Sequence, residues 1–238
     1  MHELTKLGRK HGTDKAGGRA GNHLFTECVY GPLFENHQEK KLHLLELGAG
    51  QVGGSHKMWK EYFTEGEIYC MDPFFLPDQT VTSTELEELG IHVIQGNQLR
   101  RDDLTRVGTS CKEGFDYIID DAAHVPDAIQ LSLGVLFPYL KSGGIYIVED
   151  LATATRRGNA LEATNANLEK LDTQGLVPER HIKDYTLEAS LQAFDEGKLW
   201  PSEILTHNEK RYLMDNIASW EILDDGRRLR NIALIEKK

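Results

Sequence analysis

Acidic side chains follow two strand-like runs of this sequence, and a histidine lies close to the first group. Asp121 and His124 follow the first run, and Glu149 and Asp150 follow the second. Three carboxylates at one point repel each other unless a cation lies among them. Carboxylate oxygens suit Mg²⁺ or Mn²⁺ as that cation, and an imidazole whose pKa lies near working pH suits a base. If folding brings these side chains together, they predict a metal-assisted site with His124 as its base.

The elements around these residues explain why they should meet. A helix-length segment, 125–140, separates the runs 117–120 and 145–148. This β-α-β order makes the two strands parallel, and we expect them to be neighbours about 5 Å apart. Their carboxyl ends then lie at one edge of the sheet. We expect Asp120 to point to the other face and support the site, and His124 to lie on the first turn of the helix.

The remaining strands set the fold class. Buried-type strands are predicted at 42–47, 68–71 and 91–95, and a final pair at 220–223 and 232–235 flanks an Asp-Asp-Gly turn. Five strand–helix repeats followed by a hairpin predict an α/β fold: a doubly wound, mostly parallel, seven-stranded Rossmann-like sheet with a C-terminal antiparallel hairpin.

The same pattern divides the chain into segments. Residues 1–40 are polar and dotted with glycine, and we interpret them as an N-terminal cap or lid on a domain formed by 41–238. Within that domain the strand–helix rhythm stops over 151–215. Loops on a rigid scaffold usually carry recognition, so we interpret 151–215 as an insert that recognises the substrate.

Composition narrows the partners. The 238 residues can bury a substantial core as one large domain. A net charge of −11 argues against nucleic acid and anionic membranes as partners. No apolar run has the length of a membrane span or the form of a signal peptide, and three cysteines without metal or redox spacing fit a reducing compartment. We therefore expect a cytoplasmic protein.

A glycine-rich loop follows the first strand. Gly48, Gly50 and Gly53 have the Gly-x-Gly-x-x-Gly spacing of a nicotinamide-dinucleotide fold. Glu46 precedes the first glycine by two residues, where dinucleotide folds usually have an apolar residue. The loop alone is compatible with a tight turn without a ligand.

Two further residues favour S-adenosylmethionine as the ligand. Asp72 closes the second strand, where it could accept hydrogen bonds from both ribose hydroxyls, and Gln98 ends the third strand, near the expected position of an adenine amino group. The closing hairpin also suits a methyltransferase better than a dehydrogenase. The alternative interpretation is that Asp72 only caps the turn.

Short motifs throughout the first two thirds of the chain are similar to a known family. They are Gly-Thr-Asp-Lys at 12–15, Leu-Leu-Glu-Leu-Gly at 44–48, Gly-Gly-Ser at 53–55, Met-Trp-Lys-Glu-Tyr-Phe at 58–63, Asp-Asp-Ala-Ala-His at 120–124 and Glu-Asp at 149–150. Together they resemble the sugar O-methyltransferases of macrolide biosynthesis, in a wider group that includes the proteins of cephalosporin 7-methoxylation. The likeness covers about 10–150. Ala122 and Ala123 replace Gly-Ser of the family, which changes the turn but removes no ligand.

The resemblance implies an activity and a set of site residues. The chain would be a class I methyltransferase that transfers a methyl group from S-adenosylmethionine to a hydroxyl of a sugar or glycosylated natural product, with Mg²⁺ or Mn²⁺. Asp121, Glu149 and Asp150 would bind the metal, and His124 would be the general base. The residues expected at the cofactor are Thr13, Glu46, Gly48, Gly50, Asp72, Gln98 and Asp120. His23 is a further candidate for the acceptor site, and we expect a homo-oligomer.

Three alternatives stay open. A nicotinamide-dependent oxidoreductase would use the same glycines but needs no carboxylate triad. A non-catalytic partner protein would keep the fold without the activity. A catechol-type methyltransferase would also place metal carboxylates after strands four and five.

Overall fold

Seven strands form one sheet in this computed structural model, which describes residues 1–17, 23–76, 78–151, 185–224 and 231–238. The strands are β1 (His43–Leu47), β2 (Glu67–Asp72), β3 (His92–Gln95), β4 (Phe115–Asp120), β5 (Leu140–Val148), β6 (Ile217–Leu223) and β7 (Ile232–Lys237). Their order is β3-β2-β1-β4-β5-β7-β6. The first five run parallel, and β7 pairs antiparallel with both β5 and β6. The predicted fold class is confirmed.

Helices cover both faces of the sheet. They are α1 (Glu3–His11), α2 (Phe25–Cys28), α3 (Tyr30–Leu33), α4 (Gly54–Tyr62), α5 (Ser83–Glu88), α6 (Arg101–Gly108), α7 (Pro126–Leu136), α8 (Leu187–Asp195) and α9 (His207–Asn216), with short 3-10 turns at Asp14–Ala16 and Phe137–Tyr139. None of the described helices has the length and apolarity needed to cross a bilayer.

Each face of the sheet has its own apolar core. One core joins α6 and α7 to the sheet through residues such as Leu104, Val107 and Leu133. The other joins α4 to the N-terminal region, where Phe25 and Tyr30 are fully buried. Residues of the predicted N-terminal cap therefore form part of a core. About half of the predicted insert, 152–184, lies outside the described residues.

The helix α7 begins later than its pattern predicts, and this moves His124. The helix starts at Pro126, and Val125 before it is extended, with φ −119° and ψ 144°. Proline disfavours helical geometry in the residue before it, so the helix does not extend back across Pro126. The prediction that His124 lies on the first helical turn is therefore wrong. His124 lies in the preceding loop, in a left-handed conformation with φ 52°.

The loop after β1 needs glycine at one position for a steric reason. Gly48 has φ 93°, and a Cβ on it would clash with the carbonyl oxygen of Asp121. Gly50 also has positive φ, 58°, but a Cβ there would meet nothing within 4 Å. The backbone of Gly48 thus packs directly against the chain that carries Asp121.

We expect Gly48→Ala to destabilise the protein more than the matched variant Gly50→Ala. Both variants force alanine into positive φ, which costs about 1–2 kcal/mol. Only Gly48→Ala adds a clash with rigid backbone, worth roughly 1–3 kcal/mol more. Urea denaturation of the two variants measures the difference. Equal losses of unfolding free energy would show that the contact with Asp121 is unimportant.

Candidate active site

A buried lysine lies among the acidic residues at the carboxyl ends of the strands. The Nζ of Lys15 contacts the carboxylate of Asp121 and lies 2.8 Å from Glu149 Oε2 and 3.4 Å from Glu46 Oε1. The Lys15 side chain is 1% exposed. A cation thus lies among carboxylates at the ends of β1, β4 and β5. It offsets part of the repulsion between them, a role that we assigned to a metal ion alone from the sequence.

A short 3-10 turn near the N-terminus positions this lysine. Lys15 lies in the 3-10 turn Asp14–Ala16, and the Thr13 hydroxyl accepts a hydrogen bond from the Lys15 backbone N–H at 3.4 Å. The hydroxyl of Thr26 donates to the Lys15 carbonyl at 3.2 Å. Thr13, predicted at the cofactor, is placed here as a cap of the turn that carries Lys15. The Gly-Thr-Asp-Lys motif contained this signal, but we did not assign its lysine.

A tyrosine completes the environment of Glu149. Tyr30 donates its hydroxyl proton to Glu149 Oε1, while Lys15 contacts Oε2. Both Tyr30 and Glu149 are buried. On the other side of Lys15, Trp59 Nε1 donates to Glu46 Oε2 at 2.9 Å. Glu46 and Glu149 therefore face the interior, where Lys15 lies between them.

Charge and burial act in opposite directions in this group. Burial opposes the ammonium, but the carboxylates of Asp121, Glu149 and Glu46 outweigh it and raise the pKa of Lys15 well above its ordinary value. Burial raises the pKa of Asp121 and of Glu149, and Lys15 opposes both shifts. We conclude that Lys15 is charged and that the buried carboxylates depend on it.

A second group faces outward. Asp121, His124 and Asp150 each offer one ligand atom within 4.8 Å of the others. His124 Nε2 lies 3.6 Å from Asp121 Oδ1 and 3.9 Å from Asp150 Oδ2. The side chains of these residues are 21%, 29% and 16% exposed, in contrast to Lys15. Asp121 thus belongs to both groups, with one oxygen toward Lys15 and the other toward His124.

The backbone of this outer group is unusual. His124 and Asp150 have φ of 52° and 57°, two of the four non-glycine residues with positive φ in the described chain. Such conformations cost energy and occur often at functional sites. The two carboxylates of this group fit a hard divalent cation, which proteins commonly hold through one or two carboxylates with substrate and water.

One other group in the described residues has metal-ligand chemistry, and it lies at the opposite end of the sheet. It consists of His43, Cys111 and Glu113. The ammonium of Lys141 lies 3.3 Å from His43 Nδ1, and burial raises the pKa of the Cys111 thiol. A cation and a protonated thiol both oppose metal binding there, so we place the candidate site at the carboxyl ends of the strands.

The residues predicted at the cofactor surround the glycine loop. Asp72 ends β2 and is 5% exposed. Its Oδ2 accepts a hydrogen bond from Ala49 N at 2.8 Å, and its Oδ1 accepts one from Phe74 N at 2.6 Å. Asp72 therefore fixes the loop that contains Gly48 and Gly50. Its binding of ribose stays a prediction.

Gln98 and Asp120 form a buried hydrogen-bonded pair that contacts the loop 121–124. The side-chain amide of Gln98 donates to Asp120 Oδ1 at 2.6 Å and to Ser132 Oγ at 3.1 Å, and its carbonyl accepts from Ala123 N at 3.0 Å. Ser132 and Tyr146 donate to the other oxygen of Asp120. Burial raises the pKa of Asp120. Contact of Gln98 or Asp120 with a cofactor stays a prediction.

Comparison with curated proteins gives relatives of one kind. No protein-family profile matches the chain. It is 35% identical over 198 residues to the 8-demethyl-8-(2-methoxy-alpha-L-rhamnosyl)-tetracenomycin-C 3'-O-methyltransferase of Streptomyces olivaceus, covering 77% of this chain and 46% of that protein. It is 32% identical over 158 residues to the mycinamicin VI 2''-O-methyltransferase of Micromonospora griseorubida, covering 64% of this chain and 37% of that protein. The chain spans less than half the length of these relatives.

Comparison with solved structures gives a methyltransferase of the same kind. The chain matches the MycE methyltransferase of the mycinamycin biosynthetic pathway, solved in complex with Mg, SAH and mycinamycin VI, with a TM-score of 0.65 and 26% identity. The match covers 99% of this chain and 54% of that one. A second crystal form of the same protein with Mg and SAH gives a TM-score of 0.66.

We expect Lys15→Met to destabilise the fold strongly. The variant leaves buried carboxylates without their cation, which typically costs about 3–5 kcal/mol. Lys10→Met is the matched control, because Lys10 pairs with Glu61 at 2.6 Å but its side chain is 58% exposed, and exposed pairs contribute roughly 0–1 kcal/mol. Urea denaturation at pH 7 gives both values. Adding Glu149→Gln to Lys15→Met should recover part of the loss, and similar small losses in the two single variants would contradict a central role for Lys15.

Proposed function

The chain has the fold of class I S-adenosylmethionine-dependent methyltransferases and is a homologue of the sugar O-methyltransferases of macrolide and tetracenomycin biosynthesis, and on that premise we propose that it methylates a sugar hydroxyl of a glycosylated small molecule. The observation that carries the proposal is the group Asp121, His124 and Asp150 beside the glycine loop. The named activities of the relatives, and the Mg and SAH bound to MycE, support it.

The strand order favours this function over the oxidoreductase alternative. In the dinucleotide-binding fold the sheet continues in parallel order 3-2-1-4-5-6. Here the antiparallel β7 lies between β5 and β6. The glycine spacing is shared by both classes, so the C-terminal hairpin is the feature that distinguishes them.

The reaction is an in-line displacement at the donor methyl group. The acceptor hydroxyl oxygen forms a bond to the methyl carbon while the bond from that carbon to sulfur breaks, and the sulfur keeps the electron pair as a thioether. The hydroxyl proton must leave at the same stage. The donor is already activated as a sulfonium, so the site has to orient the acceptor and accept its proton.

The residues at the crevice divide this work. Asp121 and Asp150 would hold the divalent cation, and Glu149 would join them by exchanging its contact with Lys15 or Tyr30. When bound, that cation would polarise the acceptor oxygen and lower the pKa of its proton. Lys15 contacts the Oδ2 of Asp121 on the buried side and so fixes the orientation of this carboxylate.

His124 is the proposed general base. Its Nε2 lies among the carboxylate oxygens of Asp121 and Asp150, at 3.6 and 3.9 Å, on the accessible side of the group. A neutral imidazole there can accept the acceptor proton at Nε2 as the methyl group arrives. His124 has a left-handed backbone, with φ 52°, in the loop before α7.

The proposal also covers acceptor recognition, oligomeric state and cellular location. The segment 151–215 would recognise the acceptor, since it begins directly after Asp150 in the sequence. A homo-oligomer in the cytoplasm is also part of the proposal. Oligomeric state can be measured by light scattering.

Ligand-dependent melting tests the donor and the metal together. S-adenosylhomocysteine should raise the melting temperature, because a ligand at 100 times its Kd stabilises the folded state by about 2.7 kcal/mol, whereas NADH should have no effect. Methyl transfer to a panel of glycosylated acceptors should stop in excess chelator and resume with Mg²⁺ or Mn²⁺. Stabilisation by NADH alone would overturn the proposed function, and full activity in chelator would remove the cation from it.

The base assignment is tested by His124→Asn. Asparagine tolerates a left-handed backbone, so the variant should keep the melting temperature within a few degrees. The single-turnover rate should fall by roughly 10²–10⁴-fold, the usual contribution of a general base. His92→Asn is the control, because His92 is an exposed histidine on β3 that pairs with Glu67 at 2.7 Å. A normal rate in His124→Asn would reject the assignment.

A further inference from the structure

The position of Asp150 is not fixed by regular secondary structure. The strand β5 ends at Val148, and Asp150 has φ 57°. A residue in this conformation does not follow the alternation of side chains along a strand. The orientation of its carboxylate must therefore come from side chains that contact it.

Two buried side chains from opposite ends of the chain supply that contact. His23 Nε2 lies 3.0 Å from Asp150 Oδ1, and Asn231 Nδ2 donates to the same oxygen at 3.1 Å. Asn231 Nδ2 also lies 3.3 Å from His23 Nδ1, across 208 positions of sequence. His23 is 5% exposed, and Asn231 is fully buried.

The hydrogen atoms of this triangle can be assigned consistently. An amide nitrogen has two hydrogens, so Asn231 can donate one to Asp150 and one to His23 Nδ1. Since Nδ1 then accepts, the hydrogen of a neutral His23 lies on Nε2 and is donated to Asp150. Each of the three contacts therefore has one donor and one acceptor.

Both partners are themselves held rigidly. The ring of His23 stacks on Phe25 with a centroid distance of 4.6 Å and an interplanar angle of 5°. Asn231 precedes β7; its backbone N–H donates to Leu223 O at 2.9 Å, and its carbonyl accepts from Leu151 N at 3.0 Å. The pair is thus a fixed support to which Asp150 is attached.

We propose that His23 and Asn231 are positioning residues that fix the rotation of the Asp150 carboxylate and so set the geometry of the outer group. Both contacts fall on Oδ1, and Oδ2 is the oxygen that lies 3.9 Å from His124 Nε2. The inference rests on the proposed function, since it assigns Asp150 to a divalent cation. Side chains that orient a metal ligand in this way commonly contribute about 10–100-fold to metal affinity.

The test measures binding of Mn²⁺ by electron paramagnetic resonance and binding of S-adenosylhomocysteine by calorimetry, both independent of turnover. His23→Ala and Asn231→Ala should each weaken Mn²⁺ binding by about 10–100-fold and leave S-adenosylhomocysteine binding nearly unchanged. His23→Gln should restore much of the Mn²⁺ affinity, because its amide nitrogen can take the place of Nε2. Phe63→Leu is the control for a general loss of stability, since Phe63 is fully buried in the core that contains Phe25, on which His23 stacks. This variant should leave the Mn²⁺ affinity unchanged.

Asn231→Asp separates positioning from simple electrostatics. The substitution keeps the shape of the side chain but adds a negative charge and removes the donor to Asp150. A purely electrostatic role predicts tighter Mn²⁺ binding, whereas loss of positioning predicts weaker binding, which we expect. Unchanged or tighter binding in this variant and in His23→Ala, with a wild-type protein that binds Mn²⁺, would overturn this inference alone. A wild-type protein that bound neither Mn²⁺ nor S-adenosylhomocysteine would overturn the proposed function as well.

Discussion

The crevice depends on one buried charge. Parallel strands bring their carboxyl ends to a common edge, and in this chain the ends of β1, β4 and β5 bring three acidic side chains to one point: Glu46, Asp121 and Glu149. Buried charges without a partner are strongly unfavourable, so a cation has to enter the same space. Lys15 is that cation, and it comes from a segment that contributes no strand to the sheet. The N-terminal region is therefore an integral part of the crevice.

Asp121 links the buried charge to the accessible surface. One of its oxygens contacts Lys15, and the other faces His124. Lys15 on the inner side is buried and His124 on the outer side is partly exposed, so a single side chain joins the buried and the accessible parts of the site. Asp150 has a corresponding position on the neighbouring strand end, where His23 and Asn231 hold it.

Much of this could be predicted from local sequence. The β4–α7–β5 unit, the parallel direction of its two strands and the meeting of Asp121 with Asp150 all follow from hydrophobic pattern and from the geometry of parallel strands. The sequence pattern places His124 on the first helical turn, but Pro126 keeps Val125 extended and α7 therefore begins after His124. The hydrophobic pattern does not place Lys15, because its contact with Asp121 spans 106 positions, and only the Gly-Thr-Asp-Lys motif at 12–15 marks this lysine. Nor does the pattern place Asn231, whose role depends on how β7 enters the sheet. Glu149 contacts Lys15 in the interior whereas Asp150 belongs to the outer group, and the left-handed backbone of Asp150 is a local conformation that no apolar pattern indicates.

The placement of β7 between β5 and β6 has a consequence for the order in which the molecule assembles. In the described structure β6 pairs with β7 alone, so it has no position in the sheet until β7 is present. We expect the two strands to form a hairpin first and to dock on β5 as a unit, because local pairing closes a short loop and the contact with β5 closes a long one. Pulsed hydrogen exchange would resolve the two stages. Asn231 reaches Asp150 only with that docking, so the outer group is complete only once the hairpin has joined the sheet.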